Sequence, residues 1–144
     1  MTAPASNLES IKTWYEAYQG RGLEPAVDLI DQIFDPEVEF SPWLAREVEQ
    51  RTYHGREGVR TFFGELGEML DEVQYGPPEY RPVSDDVIVV LTRLEGAGRG
   101  SAVPVGQDLG LVYEFQAGLV RRLTAFGSHE QALRAAEEHH RAEA

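Results

Sequence analysis

Residues 103–126 constrain the chain more than any other stretch. Val105, Gln107, Leu109, Leu111, Tyr113 and Phe115 fall at alternate positions, the period of a strand with two unlike faces. Gln116-Ala117-Gly118 supplies a short turn whose glycine accepts positive φ, and residues 119–126 then predict a second strand returning beside the first. The result is a long antiparallel hairpin. The face carrying Gln107 and Tyr113 is mostly apolar with two polar tips, which suits either a core wall or the wall of a binding cavity.

The segments before the hairpin set what can pack on it. Ser6 and Glu9 have capping-box spacing, and Leu8, Ile11, Tyr15 and Tyr18 recur at helical spacing with Trp14 beside them, so a first helix runs to about Gln19 and stops at Gly20 and Gly22. Pro25 suits the first turn of a second helix, whose apolar positions Val27, Ile30, Ile33 and Phe34 lead to a stop at Asp35-Pro36. Val38 and Phe40 alternate with Glu37, Glu39 and Ser41 as a short strand. Residues 42–52 have no clean period and predict either a loop with a helical turn or a flap over a cavity.

The segment from Tyr53 to Gly58 opens a third helix with an apolar stripe of Val59, Phe62, Phe63, Leu66 and Leu70. Residues 73–83 predict a strand interrupted by Pro77-Pro78, at an edge or a bulge. Residues 87–95 are the most strand-like of all, and residues 96–101 form a glycine-rich connection into the hairpin. After the hairpin, Ser128 and Gln131 form a second capping box, and Ala132, Leu133, Ala135 and Ala136 continue a helix that frays into a charged tail. Helices followed by an antiparallel meander predict an α+β fold.

A chain of 144 residues is of ordinary single-domain size, and one domain with an ordered core of about residues 7–137 is expected. The longest aliphatic run, Val87 to Leu91, is too short to cross a bilayer. The first ten residues lack the basic start and apolar core of a secretory signal, and no cysteine is present to form disulfides or zinc–thiolate sites. A cytoplasmic protein is the expectation. The net charge of -12 repels nucleic acid and anionic lipid, which sets both aside as partners.

The order of elements, together with Trp14-Tyr15-Glu16-Ala17-Tyr18, the run from Leu29 to Phe40 and His54-Gly55-Arg56-Glu57-Gly58-Val59, resembles the SnoaL-like branch of the nuclear transport factor 2-like superfamily. The likeness covers roughly residues 8–136. It implies a curved, mostly antiparallel sheet wrapped into a cone, packed against three N-terminal helices and carrying a C-terminal helix. It also implies a hydrophobic small-molecule ligand, a homodimer through the outer sheet face, and no cofactor or metal. The function it implies is that of a pocket protein, either a cofactor-free acid/base lyase, isomerase or cyclase on a hydrophobic carbonyl compound or a non-catalytic ligand-binding or dimerisation module.

Strand parity supplies candidate residues. With Gln107, Leu109, Leu111 and Tyr113 turned inward, analogous alternation predicts Val89, Leu91, Arg93 and Glu95 inward on the neighbouring strand. Arg93 and Glu95 would then share a wall about 6.6 Å apart, with Glu95 as acid or base and Arg93, Gln107 and Tyr113 orienting a substrate oxygen. The same two residues also suit a plain structural ion pair. They look like the arginine–aspartate pair of limonene-type epoxide hydrolases in this superfamily. The second acid of those enzymes would fall at Ala125 here, and their water-holding residues near Phe40 and Pro42. Asp108 has outward parity. His54 is a further candidate, as proton shuttle or as capping residue. His129, His139 and His140 are expected in a cap or solvated tail. Trp14, Tyr18, Phe40, Trp43, Phe62, Gln107, Leu109, Leu111 and Tyr113 are the expected ligand-facing residues, with plain core as the other use of the aromatics.

Overall fold

The structure is a computed structural model that describes residues 7–18, 29–42, 52–98, 100 and 104–143. Ser6, Gly20, Gly22, Pro25 and the stretch 43–51 with Trp43 lie outside the described residues, as does the side chain of Tyr18. In chain order the elements are α1 (Asn7–Tyr18), α2 (Ile30–Ile33), β1 (Phe34–Ser41), β2 (Tyr53–His54), α3 (Gly55–Met69), β3 (Leu70–Tyr75), β4 (Glu79–Pro82), β5 (Val87–Gly98), β6 (Pro104–Gln116), β7 (Leu119–Phe126) and α4 (His129–Glu143). Among these residues the seven strands form one curved, unclosed sheet in the order β2-β1-β7-β6-β5-β3, with β4 also on β5. All described pairings are antiparallel except β1 with β7.

The hairpin forms as its alternation requires. β6 pairs with β7 through a two-residue turn in which Ala117 (φ 54°) and Gly118 (φ 84°) both take positive φ, the geometry whose twist matches right-handed strands. β6 also runs its length against β5, from Val87 opposite Glu114 to Ala97 opposite Pro104. The strand expected over residues 73–83 is instead two. β3 and β4 lie end to end along β5, split at Gly76-Pro77-Pro78, where Gly76 donates its N–H to the Arg93 carbonyl at 2.8 Å. The prolines cannot donate to a ladder, so the strand breaks where they stand.

β5 runs on to Gly98, into the expected glycine-rich connection, and three earlier boundaries also differ from the sequence expectation. Phe34 opens β1 instead of closing a helix, and Asp35 caps the Glu37 N–H at 2.8 Å so that Pro36 is accommodated in the strand. Tyr53 and His54 form a short strand on β1 before α3 starts at Gly55, whose φ of 72° turns the chain. Leu70, placed by its spacing on the α3 stripe, begins β3. At the other end, Ser128 Oγ accepts the Gln131 N–H at 3.3 Å, as the capping box predicts, and α4 continues to Glu143 without fraying early.

The sheet buries both faces. On the concave side Ile11, Trp14 and Tyr15 of α1, Ile30 and Ile33 of α2 and Val59, Phe63 and Leu66 of α3 pack on Phe34, Val38, Ile88, Val90, Leu109, Leu111, Tyr113 and Leu123. On the convex side Ala132 and Ala136 of α4 pack on Val87, Val89, Leu91 and Val112. α4 comes this close because β6 carries glycine at 110. A Cβ there would collide with the Ala132 methyl.

Candidate functional site

The polar centre of the concave wall is built from residues far apart in the chain. α1 presents Trp14 and Tyr15 on its inward face, and β6 presents Tyr113 from the sheet below. The Tyr15 and Tyr113 hydroxyls are 2.8 Å apart and buried, and the Trp14 indole lies close enough to the Tyr113 hydroxyl to favour its ionised form slightly. Burial pushes the Tyr113 phenol far above its ordinary value of 10.0, outweighing the lowering effects of its bond to Tyr15 and of Trp14 nearby. Tyr113 therefore stays a neutral O–H at every physiological pH, a donor rather than a base. Tyr75, Tyr80 and Tyr113 set their rings edge-on to Tyr15 at 5.6, 6.3 and 6.3 Å. Lys12 lies 5.6 Å over the Tyr80 ring at the rim, and burial, with Glu16 nearby, raises the Tyr80 phenol.

The register overturns the expected facing of Arg93 and Glu95. Residues directly opposite in an antiparallel pair share a face, and Tyr113, Leu111, Leu109 and Gln107 stand opposite Ile88, Val90, Thr92 and Leu94. The even-numbered residues of β5 therefore line the concave wall. Val89, Leu91, Arg93 and Glu95 turn to the convex side, the first two under α4. Arg93 and Glu95 are 49% and 57% exposed, with Arg93 Nη1 at 3.0 Å from Asp108 Oδ1 and Nε at 3.7 Å from Glu95 Oε2. The guanidinium lies across Gly106, where a Cβ would strike it. The resemblance to an epoxide-hydrolase pair inside the cone fails with that facing. Ala125 and Phe40 are buried apolar positions. Asp108 has the outward parity expected of it.

Leu109, Leu111 and Tyr113 lie in the concave cluster as expected. Gln107 shares their parity, yet its amide donates to the carbonyls of Asp108 at 2.9 Å and Gly127 at 3.1 Å, so it ties β6 to the start of α4 and not to Tyr113. Phe40 and Phe62 meet Tyr53 in one aromatic group, with centroids 4.8 to 6.3 Å apart. Tyr53 donates to Glu65 Oε1 at 2.5 Å, a carboxylate that the sequence reading missed. His54 is exposed and stands opposite Glu39. His129 is not in a solvated tail: its Nε2–H donates to the Thr92 carbonyl at 2.8 Å, while the Thr92 hydroxyl donates to the Gly76 carbonyl at 2.9 Å.

A second concavity, of about 370 Å³, opens among Glu39, Asp86, Val87, Glu114, Phe115, Gln116, Arg121 and Arg122. It owes its two adjacent arginines to a bulge in β7, where the register shifts between Glu114 opposite Arg122 and Phe115 opposite Val120. Arg122 lies between Glu39 at 3.5 Å and Glu114 at 3.9 Å, and Arg121 donates to the Glu37 carbonyl at 2.5 Å. These guanidinium charges are thus already met by carboxylates and a carbonyl.

An α+β cone with three helices on the inner face of an unclosed sheet is the nuclear transport factor 2-like fold. The family model of the SnoaL-like domain matches residues 11–123, and the chain belongs to that family. Among solved structures, a candidate SnoaL-like polyketide cyclase from a Jannaschia species is 19% identical, with 94% of this chain and 95% of that chain covered and a TM-score of 0.71. A nuclear transport factor 2-like protein of unknown function from Burkholderia pseudomallei is 17% identical, with 90% and 96% covered and a TM-score of 0.71. TerC co-crystallised with polyporic acid is 19% identical, with 92% and 98% covered and a TM-score of 0.67. At such identities the likeness shows the fold. No curated protein matches the sequence. Among the described residues no helix is long and apolar enough to cross a membrane.

Proposed function

We propose that this chain is a small-molecule pocket protein that takes an apolar compound against the concave wall and recognises one of its oxygens through the Tyr113 hydroxyl. One observation carries the reading: a buried phenol, held neutral and flanked by Trp14 and Tyr15, is the polar centre of an otherwise apolar wall. A neutral donor in a low-dielectric site polarises a carbonyl or hydroxyl oxygen, the step that a cofactor-free cyclase or isomerase needs from its acid. The co-crystallisation of TerC with polyporic acid and the role in pyran ring formation of SalBIII, an epoxide hydrolase/cyclase-like enzyme of similar fold, agree with such a ligand. A cytoplasmic location, and a homodimer through the convex sheet face with its rows of paired charges, complete the proposal.

A second reading, binding without chemistry, is favoured by a different observation. Among the described carboxylates, Glu65 beside this wall accepts the Tyr53 hydroxyl and Glu16 acts on Tyr80, while what shifts the Tyr113 phenol is burial and then tyrosines and Trp14, so neither carboxylate is placed as a base at that donor. Prodan, a neutral aromatic ketone whose emission reports its surroundings, tests both readings. Wild-type protein is expected to bind it with a blue-shifted emission, and in Tyr15→Phe protein, where the Tyr113 hydroxyl has lost its phenol partner, adding Tyr113→Phe should weaken binding about tenfold, the worth of one buried hydrogen bond. Equal binding by the double variant and Tyr15→Phe contradicts the donor role. Deuterium uptake into the probe's propionyl methylene in D2O, dependent on Tyr113, marks an enzyme; binding without uptake marks a binding module.

A further inference from the structure

Tyr113 is only 1% exposed, and what covers it is α1: Tyr15 is 1% exposed, Trp14 2%, and both lie against its hydroxyl. A phenol oxygen has one proton to give and accepts at most two bonds. α1 supplies the Tyr15 hydroxyl as one partner at 2.8 Å and sets Trp14 beside the same oxygen, and the phenol is closed off from solvent. No ligand oxygen reaches hydrogen-bond distance of Tyr113 while α1 is seated.

The helix is fastened by separable contacts. Besides the Tyr15–Tyr113 bond, Asn7 Nδ2 donates to the Asp85 carbonyl at 2.8 Å, Lys12 rests on the Tyr80 ring, and the Trp14 indole meets the Phe34 and Phe63 rings at 5.1 and 5.7 Å. None of these contacts is a strand pairing, although displacing the helix also uncovers Ile11, which is fully buried in the core. We propose that α1 is a lid over Tyr113, and that the Tyr15 hydroxyl competes with the ligand's oxygen for the Tyr113 hydroxyl. Ligand entry and displacement of α1 are then one event, and Tyr15 sets the affinity. This rests on the reading of Tyr113 as the ligand's donor.

The chain has no cysteine, so the full-length Asn7→Cys, Asp85→Cys double variant carries one thiol pair, set where Asn7 meets the Asp85 carbonyl, and its oxidised form, separated by its loss of free thiols, ties down the first turn of α1. Prodan should bind the oxidised form at least about tenfold more weakly than the same protein after reduction. Tyr15→Phe should bind it roughly fivefold more tightly than wild type, since the competing bond, worth about one hydrogen bond, is gone. Equal binding by the oxidised and reduced forms overturns the lid. So does a Tyr15→Phe protein that binds more weakly than wild type, which would make Tyr15 a co-donor to the ligand. Tyr113→Phe also loses the competing bond, so its loss is measured against Tyr15→Phe: the double variant should bind about tenfold more weakly than Tyr15→Phe, and equal binding of these two removes the donor reading itself, and the lid with it.

Discussion

Tyr113 gathers most of the chemistry of the concave side into one side chain. Its phenol is raised above 10.0 by burial, whereas in the unfolded chain it ionises near 10. The folded state therefore holds its proton more tightly, and stability that is complete below about pH 10 declines as pH rises beyond it. The expected slope from this residue approaches about 1.4 kcal/mol per pH unit. Urea titrations between pH 9 and 11.5 should show it, and Tyr113→Phe should flatten it. A second residue-level test lies at the hairpin tip. Ala117 holds φ 54° without the glycine that relieves it, so Ala117→Gly should raise stability by about 0.5–1 kcal/mol in chemical denaturation. Tyr113 was legible from its place in an alternating strand. Its bond to Tyr15 was not, because periodicity places side chains on faces and says nothing about which residue 98 positions away meets them.

At the level of elements, β5 shows where sequence reading stopped. Val87 to Val90 are all nearly inaccessible because one parity packs on α1 to α3 and the other on α4. A strand buried on both faces has no hydrophobic alternation to fix its phase relative to its neighbour. The phase chosen for Arg93 and Glu95 was therefore opposite to the one that the register sets. β6 did alternate, and its facing is as read. Two of its glycines make a sharper comparison. Gly110 admits the Ala132 methyl of a packed helix, while Gly106 admits only the flexible, half-exposed Arg93 guanidinium. Gly110→Ala should cost about 1–3 kcal/mol by overpacking. Gly106→Ala should cost within about 0.5 kcal/mol, since a solvent-screened ion pair is all it disturbs. Thermal melts of the two variants side by side decide this.

Across the whole molecule, the sheet separates two kinds of surface. Its concave side is an aromatic and aliphatic wall with buried hydroxyls, covered by three helices. Its convex side carries α4 and charges that neutralise one another, among them Glu39, Arg122 and Glu114. The α+β class and the cone were readable because capping boxes, the hairpin turn and the strand periods are local signals. The site was half-readable: Trp14, Phe40 and Tyr113 fall in the concave cluster with Phe62 packed against it, Trp43 and the Tyr18 side chain lie outside the described residues, and the ion pair drawn from parity belongs to the outer face. We propose recognition on the tyrosine side of the sheet and not at the arginine pair. Calorimetric titration of prodan into the Tyr15→Phe protein, alone and with Tyr113→Phe or Arg93→Ala added, measures this most directly. Adding Tyr113→Phe should lower affinity about tenfold, and adding Arg93→Ala should leave it within about twofold, since that charge is exposed and screened. The reverse pattern, in which Arg93→Ala abolishes binding and Tyr113→Phe leaves it intact, would contradict the account.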